Sequence, residues 1–242
     1  MIGDFTKGVR YLLSGFQLIT QPGLRPFVLI PLLVNILLFT MAIWYGTNAF
    51  EGYIESLLPS WLMWLSWLLW PLFTFAFMII VFYSFTLIAN LIAAPFNGLL
   101  AEKVQLKISN INIPESNMGD IIKSIIPSLI VEIKKLFYFV LWSIPFLVLF
   151  FIPVLNIAAP FLWIAFSAWM LSLEYTDFSA NNNKVFFPQL RQLFKTRRFL
   201  ALGFGGMALV CTMVPILNFV IIPVAVAGAT RLWLEELTRN QE

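Results

Sequence analysis

The residues Gln21-Pro22-Gly23-Leu24-Arg25-Pro26 stand directly before a long apolar segment and have the types that bind anions. Pro26 suits the first position of a helix, where no backbone N–H is needed. Gly23 permits a tight turn, which is expected to leave the N–H groups of Leu24 and Arg25 free near the positive helix end. With the Arg25 guanidinium they would form a pocket for a tetrahedral oxyanion. An ordinary helix start with an interfacial arginine is the alternative.

The chain lacks the residue types that most catalytic and metal sites require. It contains no histidine, and Cys211 is its only cysteine. The usual proton shuttle, the commonest metal ligand and an intrachain disulfide are therefore excluded, and no cofactor is indicated. An enzyme acting on a lipid headgroup is an alternative, but the clustered nucleophiles or carboxylates that it needs are not visible. The sequence predicts a protein that is not an enzyme.

The composition is that of a membrane protein. Of the 242 residues, 60% are hydrophobic and only 11% are charged, whereas a soluble domain carries about 25% charged residues. A helix needs about 20 apolar residues to cross a bilayer. Four blocks of the chain without a charge reach that length, and they are residues 27–50, 61–101, 136–173 and 199–230.

These blocks predict an all-α integral membrane protein with one membrane domain over residues 1–242. Residues 5–19 have the helical spacing of an amphipathic helix in the membrane interface. Two long transmembrane helices are expected to follow. The predicted order is an interfacial helix and anion-binding turn (1–25), transmembrane helices (26–50 and 61–101), a cytoplasmic segment (102–135), hairpin 1 (136–173), a cytoplasmic segment (174–198), hairpin 2 (199–230) and a cytoplasmic tail (231–242).

The two hairpins form an internal repeat. In the first, 21 residues separate Lys135 from Asn156, at the end of Pro153-Val154-Leu155-Asn156; in the second, 20 separate Arg198 from Asn218, at the end of Pro215-Ile216-Leu217-Asn218. The return arms have 17 and 12 residues before the next charge. Because twelve helical residues span roughly 18 Å, the hairpins are predicted to be re-entrant, inserted in part. Full crossing is the alternative.

The distribution of positive charge supports this topology. All 15 lysines and arginines fall in the four segments predicted to be cytoplasmic. The only charged residues in the loop between the two long helices are Glu51 and Glu55. This is the positive-inside pattern. It predicts cytoplasmic N- and C-termini, and it explains the net charge of +3 without a nucleic-acid partner.

Few polar residues lie within the apolar blocks, and these are candidates for an anion pathway. Thr86, Asn90 and Asn97 share one helical face, and Asn156 and Asn218 stand at the hairpin tips. Hydrogen bonding between helices is the alternative role for them.

Two carboxylates, Glu102 and Glu174, stand at the inner ends of membrane segments. Such groups can couple transport to protons. Alternatively, each is an interfacial carboxylate paired with a nearby lysine.

Several stretches, in order along the chain, resemble the CysZ family of bacterial sulfate permeases. Gly23-Leu24-Arg25 with residues 27–35 resembles its N-terminal signature, and residues 88–102 resemble its second signature. Further stretches that fit are Ser167-Ala168-Trp169-Met170-Leu171, Thr196-Arg197-Arg198 and residues 223–230.

The resemblance implies sulfate uptake across the bacterial inner membrane for cysteine biosynthesis, with sulfate bound at Gly23, Leu24 and Arg25. Some members have a second arginine directly after the first, whereas this chain has Pro26, so a two-arginine clamp is not carried over. A scaffold or adaptor without transport activity is the alternative. Two helices and two shallow hairpins cannot easily enclose a pore, so a homo-oligomer is expected, with Gly203, Gly205 and Gly206 allowing close helix approach.

Overall fold

The computed structural model describes residues 2–30, 32–33, 36–37, 40–41, 43–46, 64, 66–109, 118–218 and 220–238. The regular elements of these residues are helices, and no strand occurs among them, which confirms the all-α prediction for this part of the chain. The longer helices are α1 (Ile2–Ile19), α2 (Ser66–Ser109), α3 (Met118–Leu149), α4 (Ala159–Asn182), α5 (Phe187–Thr196), α6 (Arg198–Thr212) and α7 (Ile221–Leu232). The described residues within 26–46 are helical as well.

Within the described ranges, no helix combines the length and the sustained apolar character that crossing a bilayer requires. The predicted span at 26–50 falls in part on residues outside those ranges, and the loop 51–60 falls entirely outside them. The side chains of residues 81–95 are also not described. The predicted membrane spans therefore stay predictions.

The chain divides into two compact units, one of residues 1–29 with 94–242 and one of residues 30–93. In the first unit α1 packs on α6 and α7, and α4 packs on both of these helices. Its apolar core includes Leu12, Leu173 and Phe204, which are fully buried.

Glycines allow α1 to lie directly on its neighbours. A methyl group added at Gly8 would meet the carbonyl oxygen of Leu200, and one added at Gly15 would meet that of Val224. Gly203 lies against Phe5 of α1 and Gly205 against Ala168 of α4 in the same chain, whereas Gly206 faces open space; the expectation for these glycines in a homo-oligomer stays a prediction. Small residues of this kind are typical of helix contacts in membrane proteins.

The residues that α1 buries are only in part the apolar residues that its sequence pattern places on one face. Gly8, Leu12, Gly15 and Leu18 are buried, whereas Phe5 is 44% exposed and Leu13 is 43% exposed. Apolar side chains thus lie on both the packed and the open side of this helix. The packed side is governed by glycines, which a hydrophobicity pattern does not detect.

We expect Gly15→Ala to destabilise the first unit by about 1–3 kcal/mol, because the new methyl group overlaps the backbone of α7. Gly206→Ala is the matched control, since nothing lies within 4 Å of its added carbon and alanine favours a helix over glycine. Thermal unfolding in detergent, followed by circular dichroism, measures both. Equal unfolding temperatures for the two variants would contradict this packing.

Both repeated blocks form a pair of helices joined near the predicted tips. A short 3₁₀ turn, Leu155–Ile157, stands between α3 and α4, and a one-turn helix, Pro215–Asn218, stands between α6 and α7. With 15 and 12 residues, α6 and α7 measure roughly 22 Å and 18 Å along their axes. Both arms of this second pair, α6 and α7, are therefore shorter than the roughly 30 Å hydrocarbon core.

Helix α2 continues eight residues beyond the predicted limit at Ala101 and ends at Ser109. Its last turns are fixed to α4: Asn182 Nδ2 donates to the Gly98 carbonyl at 2.9 Å, and Gln105 Nε2 donates to Asn183 Oδ1 at 3.0 Å. This extension places the basic last turn of α2 within the first unit.

Candidate anion-binding site

The turn at residues 20–25 owes its shape to Gly23. This residue has φ +88°, a left-handed conformation that favours glycine. Leu24 is only 2% exposed and belongs to the apolar core, so its side chain anchors the turn to the core. Gly23 and Arg25 stay exposed on the surface.

The backbone donors of the turn are not all available. The Leu24 N–H donates to the Gln21 carbonyl at 3.2 Å, so the prediction that this group is free is wrong. This hydrogen bond closes the turn between Gln21 and Leu24. The Arg25 N–H has no backbone acceptor among the described residues, and it stays a candidate donor to an anion.

The Arg25 side chain folds back over the turn. Its Nε donates to the Thr20 carbonyl at 2.8 Å. Among the described residues no partner occupies the two terminal nitrogens. This leaves the outer edge of the guanidinium for bidentate contact with an oxyanion.

A second cation, Lys107, lies at the same turn and was missed by the sequence analysis. It is in the last turn of α2, is exposed, and its Nζ donates to the Pro22 carbonyl at 2.9 Å. The charge of Lys107 was visible in the sequence. Its position was not, because that depends on how far α2 continues and where it packs.

The other candidate pathway residues are only partly described. The side chains of Thr86 and Asn90 lie outside the described residues, so their shared face with Asn97 stays a prediction. Asn97 is buried at 7% exposure, and Asn156 and Asn218 are exposed. Glu102 is half-buried.

A buried cluster of charges joins α3 to α4. Lys135, with a side chain only 4% exposed, lies 2.7 Å from a carboxylate oxygen of Glu132, 3.2 Å from one of Asp177 and 3.4 Å from one of Glu174. Its Nζ also lies 4.8 Å from the centre of the Phe178 ring. Pairing with a lysine, one of the two expectations for Glu174, is therefore found. The lysine is Lys135, 39 residues away in sequence.

This cluster has three carboxylates for one ammonium group, which favours binding of a proton. Burial and the charge of Glu174 raise the pKa of Glu132 to about 7, although Lys135 lowers it in part. Burial also raises the pKa of Asp177. For Lys135, burial favours the neutral form, but the carboxylates outweigh it and raise the pKa above its ordinary value.

We expect the free energy of unfolding to fall as the pH rises from about 4.5 to about 7. Between these values the folded chain holds a proton on Glu132 that the unfolded chain has released. The effect of this group is at most about 3 kcal/mol. Denaturant unfolding across this pH range measures it, and Glu132→Gln should flatten the profile. An unchanged slope in that variant would contradict the assignment.

A second ionic network holds α1 to the C-terminal turn Trp233–Leu237. Arg197 Nη2 lies 2.6 Å from a Glu236 oxygen and 3.3 Å from an Asp4 oxygen. Lys7 Nζ lies 3.0 Å from Glu236, and the Tyr11 hydroxyl lies within 3.0 Å of Glu236 as well. Burial alone would raise the pKa of Glu236, but the hydrogen bonds from Lys7, Arg197 and Tyr11 lower it. These contacts hold the first half of α1 in place on the C-terminal turn.

The described residues define an all-helical protein with a turn at which two exposed cations, Arg25 and Lys107, are each hydrogen-bonded to a backbone carbonyl. The chain belongs to the family described as "Sulfate transporter CysZ/Etoposide-induced protein 2.4", whose model matches residues 11–223.

Curated relatives are similar over nearly the whole length. A protein of Pectobacterium atrosepticum named "Sulfate transporter CysZ" is 42% identical, with 96% of this chain and 86% of the relative covered. A protein with the same name from Pseudomonas paraeruginosa is 39% identical, and the alignment covers 95% of this chain and 95% of the relative. Another, from Pseudomonas fluorescens, is 40% identical, with 95% of this chain and 94% of the relative covered.

Proposed function

We propose that this chain is a sulfate transporter of the bacterial inner membrane, with sulfate bound at the turn of Gly23, Leu24 and Arg25 through the donors of Arg25, and that it is not an enzyme. The observation that carries the proposal is the exposed turn with the Arg25 guanidinium folded over it, in a chain about 40% identical to proteins named for sulfate transport. Uptake of this anion would serve cysteine biosynthesis.

The chemistry of the turn suits a fully deprotonated dianion. Sulfate has no proton to donate at neutral pH, so its site needs donors and no acceptors. The two carbonyls nearest the cations, those of Thr20 and Pro22, already accept hydrogen bonds from Arg25 and Lys107. The donors available to an anion are the Arg25 N–H, the guanidinium edge and the remaining ammonium hydrogens of Lys107.

The membrane part of the proposal keeps the predicted topology. Residues 26–50 and 61–101 span the bilayer, residues 136–173 and 199–230 are partly inserted hairpins, and both termini are cytoplasmic. The short arms α6 and α7 support partial insertion of the second hairpin. With so few spanning helices, the pathway lies within or between the subunits of a homo-oligomer, where Thr86, Asn90, Asn97, Asn156 and Asn218 supply hydrogen bonds to the dehydrated ion.

Proton coupling is the remaining part of the proposal, with Glu102 as the carboxylate at the inner end of the second span. Uptake by Glu102→Gln, measured at several pH values in vesicles, tests it. A pH profile identical to that of the unaltered chain would exclude Glu102 from coupling.

The function is tested by the flux of labelled sulfate into liposomes that contain only this protein. We expect accumulation above that of protein-free liposomes, and a dependence on an imposed pH gradient if protons are coupled. A scaffold protein would give no flux. No flux from a correctly folded, reconstituted preparation would therefore overturn the transport proposal.

A further inference from the structure

We infer that Lys107 is a specificity-determining residue of the proposed anion site, selecting a dianion without a proton over protonated phosphate. The inference rests on the proposed function, since it assumes that the turn at residues 20–25 binds sulfate. It concerns a residue on another helix, 82 positions from Arg25 in sequence, that the sequence alone does not connect with the turn.

Lys107 changes the turn in two ways. Its ammonium adds a second positive charge to the turn that carries Arg25, which favours an ion with two negative charges over one with a single charge. It also donates to the Pro22 carbonyl at 2.9 Å. That oxygen directly precedes Gly23, and the bond from Lys107 takes one of its two lone pairs, which leaves it a poorer acceptor for the O–H of a protonated oxyanion.

The position of Lys107 is built into the fold. The last turns of α2 are held to α4 through Gly98, Gln105, Asn182 and Asn183. Arg25 is held by the Thr20 carbonyl at 2.8 Å in the same manner. Arg25 and Lys107 are far apart in sequence, yet each is fixed by one hydrogen bond to a carbonyl of the same turn. Both side chains keep further N–H groups for a ligand.

The experiment measures labelled sulfate binding to the full chain in detergent at neutral pH, with inorganic phosphate as competitor. We expect Lys107→Met to weaken sulfate binding about tenfold, the size of one charge-assisted hydrogen bond, while phosphate loses less. The preference for sulfate therefore falls. Lys107→Arg restores both the charge and the donor to Pro22, and with them the preference.

Lys195→Met is the matched control, because Lys195 is an exposed lysine in the last turn of another helix, α5. It should leave the binding of both anions unchanged. If Lys107→Met weakens sulfate and phosphate in equal proportion, Lys107 only supports the turn and the specificity role is wrong. Unchanged sulfate binding would also overturn it.

Arg25→Ala in the same assay separates this inference from the proposed function. If Arg25→Ala weakens sulfate binding while Lys107→Met does not, the inference fails and the proposed site stands. If neither variant changes sulfate binding, both are wrong. Circular dichroism of each variant confirms that the helical fold is retained.

Discussion

Arg25→Ala is expected to weaken sulfate binding by about 10- to 100-fold, because hydrogen bonds to a charged group contribute about 1.5–3 kcal/mol each. The guanidinium is already fixed on the Thr20 carbonyl, so the unaltered chain loses little side-chain freedom when sulfate binds. Arg25→Lys keeps the charge without the planar edge and should give an intermediate affinity. Calorimetry with the detergent-solubilised chain measures all three.

Arg198 provides a matched control for this variant. Its Nε donates to the Lys195 carbonyl at 3.1 Å and its side chain is exposed, which reproduces the local situation of Arg25 at another place. Arg198→Ala should bind sulfate like the unaltered chain. Equal losses for the two alanine variants would mean that general positive charge, rather than this turn, attracts the anion.

The second large effect is expected at the buried lysine. Lys135→Met removes the only cation within 4 Å of the Glu132, Glu174 and Asp177 carboxylates in the described contacts. Breaking a buried ion pair by removing one partner costs about 3–5 kcal/mol. We therefore expect a loss of this order at pH 8. The loss is smaller at pH 5, where the carboxyl groups take up protons. Denaturant unfolding at the two pH values measures it.

The neighbouring residue gives a direct control for Lys135→Met. Lys134 is exposed, and Lys134→Met makes the same chemical change one position away. It should alter the free energy of unfolding by less than about 0.5 kcal/mol. Adding Asp177→Asn to Lys135→Met removes one of the stranded charges and should recover part of the loss. No difference between the two lysine variants would contradict the buried cluster.

Patterns that depend on neighbouring residues were readable from the sequence. The apolar blocks predicted helices, the repeated Pro-x-Leu-Asn motifs predicted the interruptions between helix pairs, and Pro22-Gly23 predicted the turn. Each of these follows from local backbone preferences, which act over a few residues. The helical fold and the existence of the turn could thus be predicted.

Features that depend on contacts far apart in sequence could not be predicted. Lys107 reaches the Pro22 carbonyl only because α2 extends to Ser109 and is hydrogen-bonded to Asn182 and Asn183. The surroundings of Lys135 combine residues of two helices, and the packed face of α1 is determined by Gly8 and Gly15 against partner backbones. No local pattern encodes these distances.

The central claim is that the turn at Gly23–Arg25 holds the anion, and crystals of the full chain grown with selenate test it most directly. Selenate has the shape and charge of sulfate, and the anomalous scattering of selenium locates it without ambiguity. We expect a selenium peak at this turn, with anion oxygens about 2.7–3.2 Å from the Arg25 guanidinium and the Arg25 N–H. A peak at another place, with this turn empty in a well-ordered map, would contradict the claim.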